Sequence, residues 1–224
     1  MKQIALDITP ATGPTLAGYR PGANQAALSH LALWSSSRPR SPVPTYVWGE
    51  AGSGKTHLLR GVRETLGRHG ESVGWMDAQS SEPSAFDERW TAVLLDEVHL
   101  YGAVQQQAAF NWFVNAQTLL RGVLAAGECP PADLPLREDL RTRLGWGHVF
   151  QLQVLSEPER LSVLRQAADD RGVALSDEVM DFMLRRFSRD LGSLMQLLEQ
   201  LDGYGLQTQR PITIPLIKSM LENG

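Results

Sequence analysis

The chain has 224 residues, 42% of them hydrophobic, and a formal net charge of −4. That length suits one large domain, or a core with a small appendage, at about 100–200 residues per domain. The pI of about 5.7 speaks against a surface that grips nucleic acid unaided, which takes a basic face, and the single cysteine, Cys129, excludes an internal disulfide and suits a reducing compartment.

In chain order, the start MKQIALDITP has one lysine and no apolar run, so neither a signal peptide nor a membrane anchor is expected. No stretch of about 18 apolar residues occurs anywhere, and the sequence reads as that of a soluble cytoplasmic protein. Residues 1–14 form a short tail punctuated by Pro and Gly. A helical pattern begins near Asn24 and passes through Leu28, Leu31 and Leu33 to Trp34, and SSSRPRSPVP, residues 35–44, reads as a loop. The short apolar runs TYVWG, SVGWM, TAVLLDE, GVLAAG and HVFQLQV then alternate with crossover-sized segments. This pattern predicts an α/β core, residues 15–155, with a five-stranded parallel sheet covered by helices.

The pattern changes after Val154. Ser156 and Glu159 have the S-x-x-E spacing of a capping box, and Leu161, Leu164 and Ala168 follow at helical spacing until Gly172. Ser176 opens a second helix through Val179, Met183 and Phe187. A third carries the stripe Leu191, Leu194, Leu198 and Leu201 and is expected to end at GYG, and Thr213 caps a fourth from Ile214 to Leu221. Residues 156–224 are thus predicted to form a small all-helical domain.

The chemistry concentrates in two motifs. Gly49 to Thr56 matches G-x-x-x-x-G-K-[ST] between a strand-like run and an amphipathic helix. In such a loop Gly52 and Gly54 let the backbone wrap phosphates, with the N–H groups of residues around Ser53 pointing inward, and the helix start beginning with Lys55, Thr56 and His57 adds positive potential. Lys55 is expected on the β and γ phosphates and the Thr56 hydroxyl on Mg²⁺. The matching acid is Asp96, at the end of AVLLDEVH, for the Mg²⁺ shell, and Glu97 beside it is placed to orient an attacking water. A carboxylate directly after the metal-binding one favours water attack on ATP over transfer to a bound hydroxyl.

The segments WGEAGSGKTHLL, LLDEVHL, LREDLRTRLGWGHVFQLQVLSEPER and ITIPLIKSML resemble, in order, the nucleotide-binding part of the bacterial replication initiator DnaA. They resemble more closely its shorter homologues, the Hda family of regulatory inactivators of DnaA. The likeness covers nearly the whole chain and implies an AAA+ core followed by a helical lid, with ADP or ATP and Mg²⁺ as ligands. It implies that Gln3, Ile4, Leu6 and Ile8 form a motif that docks on the DNA polymerase sliding clamp. It implies that Arg143 is an arginine finger acting in trans on the γ-phosphate of a neighbouring subunit, with Arg141 as an ordinary surface arginine. Asn24, in GYRPGANQAAL, matches the segment that encloses adenine, and is either a ligand contact or a helix cap.

Two positions depart from the family pattern. Gly192 stands where the lid arginine is expected, with Arg189 one turn earlier, and Glu128 stands where a polar sensor is expected. Slow unaided hydrolysis follows from the first. No helix-turn-helix DNA-binding domain is expected after Leu221. The implied function is negative regulation of replication initiation, with DnaA and the sliding clamp as partners, DNA reached only through the clamp, no membrane, and self-association as an open matter. The alternative is an autonomous AAA+ ATPase, a helicase loader or DNA-remodelling factor. A small-molecule phosphotransferase would need an arginine-rich lid, which this chain lacks.

Overall fold

A computed structural model describes residues 14–186, 191–208 and 212–222. The chain divides into two units, Met1–Val154 and Leu155–Gly224.

In the first unit the chain begins with α1 (Gln25–Ser36), followed by β1 (Thr45–Trp48), α2 (Lys55–Arg68), β2 (Val73–Met76), β3 (Ala92–Leu95), α3 (Ala103–Thr118), β4 (Gly122–Gly127), α4 (Glu138–Leu144) and β5 (His148–Gln151). All pairings are parallel, in the order β2-β3-β4-β1-β5. The central strands are buried on both faces, hence their unbroken apolar runs. Alternate residues divide between two cores. Tyr46, Val93, Leu95, Val123 and Ala125 pack with Trp112 and Phe113 of α3 and Leu140 of α4. Val47, Leu94, Leu124 and Ala126 pack with Leu31 and Trp34 of α1 and Leu58, Leu59 and Val62 of α2.

This order matters for the site. β1 leads into the glycine-rich loop, β3 into Asp96 and β4 into Glu128. Because β4 lies between β3 and β1, the carboxyl ends of three adjacent strands deliver those residues to one edge of the sheet, where ligands of open α/β sheets bind.

The loop expected from Ser35 begins two residues later, since α1 runs to Ser36. The serine hydroxyls of Ser35, Ser36 and Ser37 donate to the carbonyls of Ala32, Leu33 and Leu33, prolonging the last turn. Arg40, buried, donates from Nε to the Trp34 carbonyl at 3.0 Å and pairs with Glu71 at 3.0 Å, so the helix end and the start of β2 share one cation.

The second unit contains α5 (Glu157–Asp170), α6 (Asp177–Arg186), α7 (Leu191–Thr208) and α8 (Ile214–Glu222) around Leu164, Val179, Met183, Leu194, Leu198, Leu201 and Ile217. At the start of α5 the Glu159 carboxylate accepts the Ser156 N–H at 2.7 Å and its hydroxyl at 2.6 Å. These bonds hold the Glu159 carboxyl below its usual range. The expected stop at GYG does not occur: α7 passes through Gly203, Tyr204 and Gly205 to Thr208. The helix continues through two interior glycines that cost about 1 kcal/mol each against alanine. Among the described residues no helix is long and apolar enough to cross a membrane.

Candidate functional site

The glycine-rich loop joins β1 to α2 by a turn in which the Ser53 N–H donates to the Glu50 carbonyl at 3.2 Å. Gly52 and Gly54 have φ of 79° and 90°, values that a side chain strongly disfavours. Gly49 is required for another reason. A Cβ there would lie 2.3 Å from the Leu152 carbonyl oxygen, so the loop can leave the sheet only where β1 and the end of β5 nearly touch.

Lys55 opens α2 and folds back over the loop, its Nζ donating to the carbonyls of Gly49 at 2.7 Å and Glu50 at 2.8 Å. Burial lowers its pKa, against the opposing fields of Glu128, Asp96 and Glu97. The three carboxylates therefore gather around one ammonium. Asp96 is 2% exposed. Its Oδ1 accepts the Glu97 N–H at 2.9 Å and its carboxylate accepts the Thr56 hydroxyl. Burial raises the Asp96 pKa, and the Thr56 bond is the first effect against it. Glu97 occupies the left-handed region, φ 54° and ψ 35°, a strain of about 1–3 kcal/mol for a non-glycine residue, of a kind that concentrates at functional positions. Glu128 faces the His99 Nε2 at 3.4 Å.

The loop fits the phosphates of a nucleotide on grounds of its own. The Ser53 hydroxyl oxygen is buried and has no hydrogen-bond partner among the described residues. The glycines leave the backbone open to close approach, and an ammonium stands beside them. Thr56 and Asp96 sit together, as an oxygen pair for a hard divalent cation requires.

Two predicted contacts point elsewhere. The His57 Nε2–H donates to the Thr15 carbonyl at 2.9 Å, so its ring faces the segment ahead of α1. Asn24 makes no cap bond. Its Nδ2 donates to the Tyr19 hydroxyl and to the Gln153 carbonyl, both at 2.9 Å, and its Oδ1 accepts the Gln153 N–H at 2.7 Å. The amide of Asn24 is therefore engaged within the chain. Sequence reasoning missed Tyr19, whose hydroxyl donates to the Ser53 carbonyl at 3.1 Å and whose ring lies over Gly54.

Arg143 stands in the last turn of α4, its guanidinium 5.4 Å from the Phe110 ring centroid and 5.9 Å from that of Phe113. Among the described residues it has no carboxylate partner. Arg137 shares the Phe110 ring at 4.9 Å but is paired with Asp139 at 2.7 Å. Three residues after Arg143, Trp146 is 69% exposed. Gly192 is exposed in the first turn of α7. Gln3, Ile4, Leu6, Ile8 and Arg189 lie outside the described residues.

Residues 157–221 match the family model described as "Hda, lid domain". Among solved structures, domain III of the Thermotoga maritima replication initiation protein DnaA superposes with a TM-score of 0.73 at 20% identity, covering 93% of this chain and 95% of that one. AMPPCP-bound DnaA from Aquifex aeolicus gives a TM-score of 0.66 at 19% identity over 87% of this chain and 66% of that one. A mutant of Thermotoga maritima RuvB gives 0.63 at 16% identity over 93% and 72%. At these identities the structural likeness establishes the fold, a parallel AAA+ core, while the family match establishes the kind of lid. Residues 157–221 are thus of the Hda lid type, and the fold of the chain is the one it shares with domain III of DnaA.

Proposed function

We propose that this protein is a nucleotide-bound negative regulator of replication initiation that makes a bound DnaA hydrolyse its ATP. The observation that carries the reading is Arg143: a guanidinium steadied on two aromatic faces and, among the described residues, without a carboxylate partner. An arginine held so is available to a second molecule, where it would stabilise charge on a departing γ-phosphate, an effect of about 10³–10⁵ in rate. The Hda-type lid gives the reading its partner.

The chain's own loop would hold ADP or ATP. Gly49, Gly52, Ser53 and Gly54 would present backbone N–H groups to the phosphates, Lys55 would swing from the Gly49 and Glu50 carbonyls onto them, and Thr56 and Asp96 would hold Mg²⁺. Mg²⁺ bound with the nucleotide neutralises charge on the β and γ phosphates. With Gly192 in place of a lid arginine, unaided turnover is slow and the loop acts as a switch. The segment with Gln3, Ile4, Leu6 and Ile8 would tether the protein to the sliding clamp.

The purified protein, assayed for ATP hydrolysis alone, with DnaA, and with DnaA plus clamp-loaded DNA, separates this reading from its rival. Hydrolysis only with both partners supports the regulator, and removal of residues 1–8 then abolishes both clamp binding and stimulation. The rival, an autonomous ATPase acting as helicase loader or remodelling factor, has in its favour the adjacent Asp96 and Glu97, and predicts strong turnover by the protein alone.

A further inference from the structure

The segment ahead of α1 is bound to the phosphate loop and to the end of the sheet at once. The Tyr19 hydroxyl has one proton, and the Ser53 carbonyl, which can only accept, takes it at 3.1 Å. The Tyr19 hydroxyl oxygen in turn accepts from Asn24 Nδ2 at 2.9 Å. The orientation of the Asn24 amide is fixed in turn by Gln153, whose N–H donates to Oδ1 at 2.7 Å and whose carbonyl accepts from Nδ2 at 2.9 Å. Every donor and acceptor in the series Ser53–Tyr19–Asn24–Gln153 thus has a single possible direction.

Asn24 is 3% and Tyr19 8% exposed. A shift of the phenol leaves a buried amide donor unpaired, which strongly favours a concerted response. The ring itself is part of the fit: a Cβ on Gly54 would come within 2.6 Å of it. The segment is seated independently by Thr15, whose carbonyl accepts from His57, and at Gly61, where a Cβ would lie 2.8 Å from the Leu16 nitrogen. Gln153 is followed by Val154, the last residue of the first unit.

We infer that Tyr19 and Asn24 are positioning residues that tie the conformation of the phosphate loop at Ser53 to the peptide at Gln153, immediately ahead of the lid. This rests on the reading of Gly49–Thr56 as a nucleotide's phosphate site. When phosphates order the loop, the Ser53 carbonyl, the phenol, the Asn24 amide and the Gln153 peptide are ordered with it.

Hydrogen exchange of the Gln153 amide in the full chain, with and without Mg-ADP, reads the last bond of the series directly. ADP affinity is titrated separately, so failure of the nucleotide site is recorded as absent ADP binding by the wild type. The expected result is that ADP slows Gln153 exchange at least ~10-fold in the wild type. In Tyr19→Phe, which keeps the ring and removes only the hydroxyl, the slowing falls below ~2-fold. If Tyr19→Phe fails to fold, Asn24→Asp, which keeps Oδ1 for the Gln153 N–H and removes only the Nδ2 donor to Tyr19 and the Gln153 carbonyl, gives the same loss. Where Tyr19→Phe weakens ADP binding, exchange is read at saturating ADP, and slowing there that matches the wild type would overturn the assignment. Wild-type protein that binds ADP without protecting Gln153, or variants that keep both affinity and protection, would overturn it.

Discussion

Replacing Gly54 by alanine tests the phosphate loop at its tightest point. At φ 90° the added Cβ carries the left-handed penalty of about 1–2 kcal/mol. It also lands 2.6 Å from Cε2 of Tyr19, a ring held through its hydroxyl, so overpacking adds about 1–3 kcal/mol. The sum, about 2–5 kcal/mol, corresponds to a drop of about 4–20 °C in the melting temperature of a chain this long. The two contributions separate in a double-mutant cycle. In a Tyr19→Ala background the clash is gone and only the backbone cost remains, so the same Gly54→Ala change should cost about 1–2 kcal/mol there. Thermal unfolding of the four proteins is the assay. A cost under about 1 kcal/mol in the wild-type background, or equal costs in both, would refute the reasoning.

Other consequences follow from the same cluster and from α4. Burial raises the folded-state pKa of Asp96, so ionisation there opposes folding. Asp96→Asn should change nothing in EDTA below the ordinary carboxyl value of 3.8, and should gain stability as pH rises, in full above the folded-state pKa. In Mg-ADP at 100 times the wild-type Kd the order reverses, because the variant forgoes about 2.7 kcal/mol of ligand stabilisation; melting curves across pH with and without ligand check both halves. Phe110→Leu removes the ring under Arg143 and Arg137, each contact being worth about 0.5–1 kcal/mol. Stimulation of DnaA-bound ATP hydrolysis should therefore fall by about 2–5-fold with the chain still folded.

The parts of the fold that were legible in the sequence rest on local patterns. TYVWG and AVLLDE read as buried parallel strands because both faces are covered, and the loop from Gly49 to Thr56 declared its conformation through Gly52 and Gly54. The extension of α7 past GYG was illegible because glycine propensity alone sets a stop there, whereas the helix runs on to Thr208. At the site, Lys55, Thr56 and Asp96 converge as their motifs imply. Tyr19 carries no motif, and its partner Ser53 is 34 residues away. Asn24 read as either a ligand contact or a helix cap, and its amide is claimed by Gln153, 129 residues on. Phe110 and Phe113 carry no motif, and their contact with Arg143 is visible only once α4 lays that side chain across them.

The central claim is that this chain completes catalysis in a partner's site. Its most direct test is single-turnover hydrolysis of labelled ATP preloaded on DnaA, with clamp-loaded DNA and either wild-type protein or Arg143→Ala. The account predicts that the wild type accelerates hydrolysis and that the variant, folded and still binding ADP through Lys55 and Thr56, loses about 10³-fold or more of that acceleration. Undiminished hydrolysis with Arg143→Ala would contradict it.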